Sequence, residues 1–453
     1  TFLVRRSKTA EAKSIQYLGV SDYANWREKQ KFLVDAKSLA SSPWQTLTPD
    51  AKGNWLTQGM QDDFDRLRSI GGSGETLFNE YCCGIATSRD AWAYNFNREC
   101  LSKQIAETSA FFNEEVDRFQ RSGKNPNLDD FVRYNDKKIS WSRDLKLDLV
   151  RGRHVNVAQN KFREALYRPY CKQNLFFDRV LNEEVYIFEH FLPTLASETE
   201  NVLIGLTGIG SEKPFMCLAG ASLMDLHLSG AACRTQCFPF YTYGEDGSNR
   251  RENITDRTLN EFRTHYKDQK LSKWDIFHYI YGLLHSPEYR ERYSANLKRE
   301  LPRIPFAPDF WAFAKAGERL TDLHVNYEKQ PEYALERVEN PKEKLSYRVE
   351  KMRLSKDKSA LTYNSFWTLR GIPPETYEYR LGNRSALEWV VDQYQISTDK
   401  RSGIVNDPNR EDDPGYILRL IGQVIYVSLE TVKIVKALPA LGIAQSAGAG
   451  AAE

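Results

Sequence analysis

Charge of one sign is what this chain has least of: 63 Lys and Arg stand against 61 Asp and Glu, a formal net charge of +2 over 453 residues. That balance is far from the strong excess of basic residues that would announce a nucleic-acid binder. A sequence-reading protein needs only one basic face, so a specific binder of nucleic acid is not excluded. Long hydrophobic runs are also missing. The longest, from Tyr416 to Leu438, is interrupted by Arg419, Glu430, Lys433 and Lys436, and no uncharged span reaches the ~18 residues that a membrane helix needs. It reads as a core helix, and no membrane partner is expected. The seven cysteines (Cys82, Cys83, Cys100, Cys171, Cys217, Cys233 and Cys237) are odd in number and irregularly spaced, which argues against a disulfide framework. Cys233 and Cys237 lie four apart with no further His or Cys at ligand spacing, so buried thiols are favoured over zinc. With no signal peptide at Thr1, the natural reading is a cytoplasmic protein with reduced thiols. No internal repeat appears. Gly208-Ile209-Gly210-Ser211-Glu212-Lys213 lacks the Lys-Ser/Thr ending and the glycine spacing of a phosphate loop, and reads as a turn between strands.

What is present is a large soluble chain, 41% hydrophobic and 27% charged, long enough for two or three domains. Phe2 to Arg6 and Ile15 to Gly19 read as two short strands, and Trp26 to Ser38 as an amphipathic helix. A strand at the very start suggests a chain cut from a longer one. Ser41 to Gly74 reads as a connector ending in a glycine-rich turn. Helical periodicity dominates from Thr87 to Gln120, although Arg89-Asp90-Ala91-Trp92 and its following aromatics alternate like a half-buried strand with a structural role. Val202 to Leu206 and Cys237 to Tyr243 read as buried strands, Asp256 to Arg299 as helices, and Glu336 to Thr362 as a charged helix or hairpin. Asp413-Pro414 starts the last helix.

The most informative stretch runs from Trp274 to Phe306. Ser272 and Asp275 have the spacing of a capping box, and Ile276, Phe277, Ile280, Tyr281, Leu283 and Leu284 form an apolar helical face. Ser286-Pro287 ends that helix and can open another, with Ser as N-cap and Pro in the first turn. Pro302 and Pro305 impose an extended exit around Arg303. His278 and His285, seven apart, read as packing residues. On this segment Arg290, Arg292 and Arg303 are at most phosphate contacts.

With three further segments in the same order, this stretch resembles the C-terminal specificity region of Type ISP restriction–modification enzymes. They are Gly84-Ile85-Ala86-Thr87-Ser88-Arg89-Asp90-Ala91-Trp92-Ala93-Tyr94-Asn95-Phe96, then Tyr167-Arg168-Pro169-Tyr170-Cys171-Lys172 with Phe177-Asp178-Arg179, and Ala386-Leu387-Glu388-Trp389-Val390-Val391-Asp392-Gln393-Tyr394. The resemblance covers nearly the whole chain. It implies an α+β fold with a mixed β-sheet core and a helical C-terminal half, in which the N-terminal strands belong to the edge of a methyltransferase α/β sheet. It further implies the end of the methyltransferase domain at 1–40 and a target-recognition domain with a mixed α/β part at 41–245 and a mainly helical part at 246–440. A small-residue tail, expected to be disordered, occupies 441–453. The implied partners are double-stranded DNA and the methyltransferase domain of the same parent chain.

Set beside that family, two absences matter. The Asn/Asp-Pro-Pro-Tyr/Phe loop that holds a flipped base is missing, and so is a glycine-rich loop for S-adenosylmethionine; Asp407-Pro408-Asn409 departs after two residues. No cofactor is therefore expected in this chain, while S-adenosylmethionine is implied for the parent enzyme. A Cys/His hydrolase would have to use Cys237 and His227, without an oxyanion motif.

Two segments are candidates for DNA contact. In the basic–aromatic block, Lys137, Lys138, Arg151, Arg153, Arg168 and Lys172 stand among Arg143, Lys146, His154, Lys161, Arg163 and Arg179, with Tyr134, Trp141, Tyr167 and Tyr170 interleaved. Such groups can bind phosphates, and Arg can reach guanine bidentately; a solvated face with internal ion pairs is the other reading. The second candidate is the loop from Tyr241 through Tyr243 to Asn249, Arg250 and Arg251, whose Asn and Arg suit adenine and guanine. Lys342 to Lys358 is a third basic stretch, backbone-contacting or solvent-facing. The expected function is recognition of a DNA target that presents an adenine to the neighbouring methyltransferase. The rival reading is a scaffold that couples methyltransferase and motor domains without reading sequence.

Overall fold

The Lys273–Leu284 helix begins where its sequence says it should. Ser272 Oγ accepts from the Asp275 N–H, and the Asp275 carboxylate accepts from the Ser272 N–H at 2.8 Å. Ser286 caps the next helix, Pro287–Arg292, with Pro in its first turn. The extended exit is then held by Arg303–Ile304 pairing antiparallel with Arg68–Ser69. In this computed structural model the described residues are 15–20, 24–36, 38, 40, 42, 44–47, 61–123 and 127–442. The expected strand at Phe2 to Arg6 and most of the expected tail lie outside them.

Two four-stranded sheets form the centre. In the first, Leu223–Met224 runs parallel to Phe162–Arg168, which pairs antiparallel with Cys171–Phe176 and, beyond it, Tyr94–Asn95. The hairpin turns at Tyr170, whose φ is +57° and whose ring is buried. The second sheet is antiparallel, ordered Cys82–Cys83, Thr235–Pro239, Leu203–Thr207, Cys217–Gly220. Every residue of Leu203–Thr207 is buried, as an uninterrupted apolar run implies. A mixed α+β architecture is thus what the chain adopts.

The C-terminal half contains long helices, Phe310–Val325 and Tyr416–Lys436, but also a sheet that its charge pattern only half disclosed. Glu336–Glu339, Trp367–Arg370, Ala360–Thr362 and Arg353–Leu354 form four antiparallel strands; of the segment 336–362 only Arg353–Leu354 and Ala360–Thr362 make a hairpin, Glu336–Glu339 pairs with Trp367–Arg370 beyond it, and the helix reading does not hold. Two other expectations change. Asp90–Ala93 is a helical turn, because Ala93 and Trp92 N–H groups bond back to Arg89, and only Tyr94–Asn95 is extended. Ile15–Tyr17 pairs with Gln45–Leu47, not with a described strand before it.

Three apolar cores hold these layers. One joins the first sheet to the 353–394 region and the last helix. A second packs the other sheet against the Lys273–Leu284 and Phe310–Val325 helices. Both draw residues from either side of position 245, so the division drawn there in the sequence separates no core. The third core belongs to a helical lobe: Leu101, Ile105, Phe112 and Val116 of the Arg98–Arg121 helix meet Leu145 and Leu149 of Arg143–Val150 and the strand residues Phe162 and Phe176. This lobe carries the first candidate site.

Candidate nucleic-acid interface

The lobe fixes its basic loop through a buried carboxylate. Glu115 is fully buried on the Arg98–Arg121 helix and accepts from Arg118 Nε at 3.0 Å, Arg133 Nε at 2.6 Å and the Arg133 N–H at 2.9 Å. Burial alone would raise its pKa; the donors of Arg118 and Arg133 outweigh that and hold it below the usual range. From this anchor the chain turns at Asn135, whose side-chain oxygen accepts the Lys137 N–H and whose carbonyl accepts the Lys138 N–H. Thr108 Oγ1 donates to the Lys138 carbonyl at 2.9 Å and Ile139 enters the core. Lys137 and Lys138 are therefore held on a fixed turn with exposed side chains, and neither makes an ion pair among the described residues. The Lys138 ammonium lies 5.6 Å from the Phe111 ring centroid.

Arg151 and Arg153 follow the Arg143–Val150 helix, where Gly152 takes φ +70°. That conformation is left-handed and suits glycine at a helix end. Both guanidinium groups reach the same oxygen, Asp148 Oδ1, at 3.1 and 3.0 Å, and each side chain remains 55% exposed. One carboxylate serving two guanidinium groups leaves surplus positive charge at the surface. With Lys137 and Lys138, the lobe can offer four cations to an anionic backbone.

The rest of the block is otherwise engaged. Arg168 is largely buried, 2.8 Å from Asp225 Oδ1. Lys172 is bound between Glu164 at 3.1 Å and Glu328 at 2.6 Å, at the edge of a cavity of about 550 Å³. Both hold the fold together where they stand, because an ion already paired under the surface has no free donor geometry to turn toward a phosphate. Lys161 pairs with Asp178, Arg163 with Glu198, and Arg179 with Glu189. Arg89 is buried as well, donating to the Ser140 and Leu181 carbonyls, Ser142 and Glu183, which ties the lobe to the 178–184 segment. Its structural reading stands.

The second candidate is a hairpin. Tyr241–Thr242 pairs with Arg251–Glu252, and the intervening loop closes through the Gly244 N–H donating to the Ser248 carbonyl at 2.7 Å. Asn249 takes φ +53° with its side chain exposed, bonded among the described residues to Ser248 Oγ at 3.1 Å. Arg251 is exposed and makes no ion pair among the described residues. Arg250 pairs with Glu200 at 2.8 Å and lies over the Tyr241 ring. Tyr241 is half-buried, accepting from Trp274 Nε1 at 3.4 Å. Tyr243 is buried and its hydroxyl faces no hydrogen-bond partner among the described residues, so it supports the loop from beneath and does not present a reading surface. The hairpin meets the 178–190 segment through Arg179–Glu245 at 3.5 Å and the Tyr243 N–H on the His190 carbonyl at 2.8 Å. Among the described residues, no direct contact joins Lys137, Lys138, Arg151 or Arg153 to the hairpin.

The Cys237 thiol is buried against Met224 sulfur at 3.8 Å, and burial pushes its pKa well up, while His227 Nδ1 lies against the Cys233 carbonyl. A neutral thiol without an imidazole beside it is not an activated nucleophile. All seven cysteines are free. Among the described residues no cluster of His, Cys, Asp and Glu could hold a metal ion, and no helix is long and apolar enough to cross a membrane. In the third basic stretch Arg348 pairs with Asp407 and Lys358 with Glu388. Glu115 was not singled out in the sequence; a lone Glu on a helix carries no signal of the two arginines it will meet.

The family model of the Type ISP C-terminal specificity domain matches residues 76–420. Among solved structures, a nuclease-deletion mutant of the Type ISP restriction-modification enzyme LlaGI in complex with a DNA substrate mimic is 33% identical, with a TM-score of 0.80 over 94% of this chain and 33% of that one. The ATP-dependent Type ISP enzyme LlaBIII bound to DNA is 31% identical, with a TM-score of 0.78 over 92% of this chain and 27% of that one. A DrdV–DNA complex is 33% identical, with a TM-score of 0.78 over 91% of this chain and 42% of that one. The chain thus spans between about a quarter and two fifths of the length of these relatives. Comparison with curated proteins finds no match. With most of its length covered by the family model, the chain belongs to the Type ISP C-terminal specificity domain family.

Proposed function

We propose that the chain reads the target sequence in double-stranded DNA for a Type ISP restriction–modification enzyme, and so presents one adenine to the methyltransferase domain of the same parent protein. The observation that carries this reading is the cationic lobe: Lys137 and Lys138 on a fixed turn with no ion pair among the described residues, and Arg151 and Arg153 sharing Asp148. Such groups position a protein on phosphates without specifying sequence. Specificity falls to exposed donors on irregular loops, for which Asn249 and Arg251 have the right chemistry. The DNA complexes of LlaGI, LlaBIII and DrdV support DNA as the partner.

In the whole enzyme, S-adenosylmethionine would be held by the methyltransferase segment, because the motifs for donor and target base are missing from this sequence. Target adenine would have to leave the helix to be modified there. This chain's share is binding, register and discrimination, and it acts in the cytoplasm. Selection from a library of random duplexes tests the reading. Enrichment of one short motif is expected; an unenriched pool would favour the non-reading scaffold.

A further inference from the structure

A cavity of about 340 Å³, lined by none of the residues proposed to contact DNA, forms where three segments distant in sequence converge: Thr207 to Phe215, Arg290 to Lys298, and Arg380 with Gly382. Pro214, Phe215 and Leu297 make an apolar wall, while Lys213, Arg290, Lys298 and Arg380 supply cations. No acidic side chain among the described residues lines it. Nearly every other part-buried cation here has met a carboxylate, as Arg163, Arg168 and Lys172 have.

Arg290 is the exception that matters. Its Nε donates to the Leu284 carbonyl at 2.6 Å and its guanidinium carbon lies 5.6 Å from the Phe215 ring centroid, but its buried Nη2 has no hydrogen-bond partner among the described residues. A guanidinium keeps its charge, so Arg290 lines the cavity as a cation with no carboxylate beside it among the described residues. Lys213 donates to the Ser229 carbonyl at 2.7 Å, which uses one of its three N–H groups. Burial holds both Arg290 and Lys213 below their usual pKa ranges, and Arg168 and Arg384 add to the positive field at Lys213. Arg380 is exposed at the rim and donates to the Asn383 carbonyl.

We propose that this cavity is a phosphate-binding site, in which the Arg290 guanidinium and the Lys213 ammonium hold the phosphate oxygens and Arg380 closes the rim. Lys213 belongs to the Gly208–Lys213 turn whose composition resembled a phosphate loop without its spacing. The turn works differently from such a loop. Its Gly208 and Gly210 N–H groups are bonded to the carbonyls of Arg234 and Lys298, so side chains, not a backbone nest, face the anion. The phosphate could be the free group of a nucleotide or part of a DNA backbone, and the two sources share this chemistry.

The test uses the full 453-residue chain, titrated at constant ionic strength with inorganic phosphate, with ATP and with a DNA duplex. Binding of phosphate or ATP that weakens roughly tenfold or more in Lys213→Gln, as removal of a charge-assisted hydrogen bond implies, supports the site with a free phosphate compound as ligand. If neither anion binds, but duplex affinity falls roughly tenfold in both Lys213→Gln and Arg380→Gln, the ligand is a backbone phosphodiester. Arg290→Gln completes the series where it folds; the other two variants keep the inference falsifiable where it does not. Phosphate, ATP and duplex affinities that are all indifferent to Lys213→Gln and Arg380→Gln overturn it. The free-anion arm is independent of target reading and gives its answer even for a chain that binds no DNA.

Discussion

Arg168 Nη1 lies 2.8 Å from Asp225 Oδ1, and both side chains are almost out of contact with solvent. The same carboxylate accepts from Tyr94 Oη at 3.1 Å and from the His227 N–H at 2.8 Å, so one buried pair ties the Phe162–Arg168 strand to the parallel strand beside it and to the turn that follows. Burial pushes the Asp225 carboxyl up to about 7, against the pull of Arg168. Removing one partner strands the other. Arg168→Ala is expected to destabilise the fold by about 3–5 kcal/mol in urea unfolding, while the folded protein keeps its DNA affinity. A drop in affinity at unchanged stability would return Arg168 to the interface.

The four lobe cations should behave in the opposite way. Lys137→Ala with Lys138→Ala leaves the unfolding midpoint in place, because the turn is fixed by Asn135, Thr108 and Ile139 and not by either ammonium group. Duplex affinity should fall to a similar degree for target and scrambled sequences, as expected when cations that meet phosphates are removed. Fluorescence anisotropy beside urea melts separates the two effects.

Discrimination should reside in the hairpin. Asn249→Gly keeps a residue that accepts φ +53° and removes only the amide. Comparing the target duplex with single-base mismatches, this variant and Arg251→Ala are each expected to cost about 1–3 kcal/mol of preference at one base position. Preserved mismatch profiles in both would assign reading to other loops.

Packing of the helical half makes a sharper prediction. The Lys273–Leu284 and Phe310–Val325 helices cross with almost no space between backbones: a Cβ on Gly317 would lie 1.8 Å from the His278 carbonyl oxygen, and one on Gly282 would lie 2.3 Å from that of Phe313. Gly317→Ala must push the helices apart and is expected to cost about 3 kcal/mol or more in urea unfolding. An unchanged midpoint would mean that the crossing is wider than these distances require.

Beside that crossing sit two buried histidines. His324 Nδ1 is 2.5 Å from Tyr281 Oη, and His285 Nδ1 is 2.8 Å from the Tyr281 carbonyl. Burial lowers His285 well below the usual range and His324 to about 3. Unfolded, both titrate near ~6.5, so below that pH the unfolded chain binds more protons than the folded one. Their contribution is complete above pH ~6.5 and declines as the pH falls toward 3, by up to about 1.4 kcal/mol per pH unit for each histidine. Urea midpoints at about pH 7 and pH 5, on either side of that unfolded value, check the slope, and His285→Gln should make it shallower.

How much of this was legible follows from range along the chain. Helix ends were readable because a cap and its partner are three residues apart, as with Ser272 and Asp275 or Ser286 and Tyr289. Central strands were readable where the run is wholly apolar, as in Leu203–Thr207. Which cations are free was not. Lys172 finds Glu328 156 residues away, and Arg168 finds Asp225 57 residues away, so composition could group Arg168 and Lys172 with Lys137 and Lys138 but could not separate paired from unpaired. Tyr243 was misplaced for a related reason, since alternation in a two-residue strand gives no register. The Arg290 cavity, assembled from three distant segments, was not foreshadowed beyond the basic character of each.

Anisotropy titration of the whole chain with a library-selected duplex and its scrambled counterpart, between roughly 50 and 200 mM salt, decides whether the chain reads sequence. The selected duplex should bind at least about a hundredfold more tightly. Both affinities should fall steeply with salt. In the Lys137, Lys138, Arg151 and Arg153 alanine variant the slope should become shallower, by about 0.9 for each phosphate that is no longer neutralised. Equal affinity for the two duplexes, or a salt slope unchanged in that variant, would contradict the proposed function.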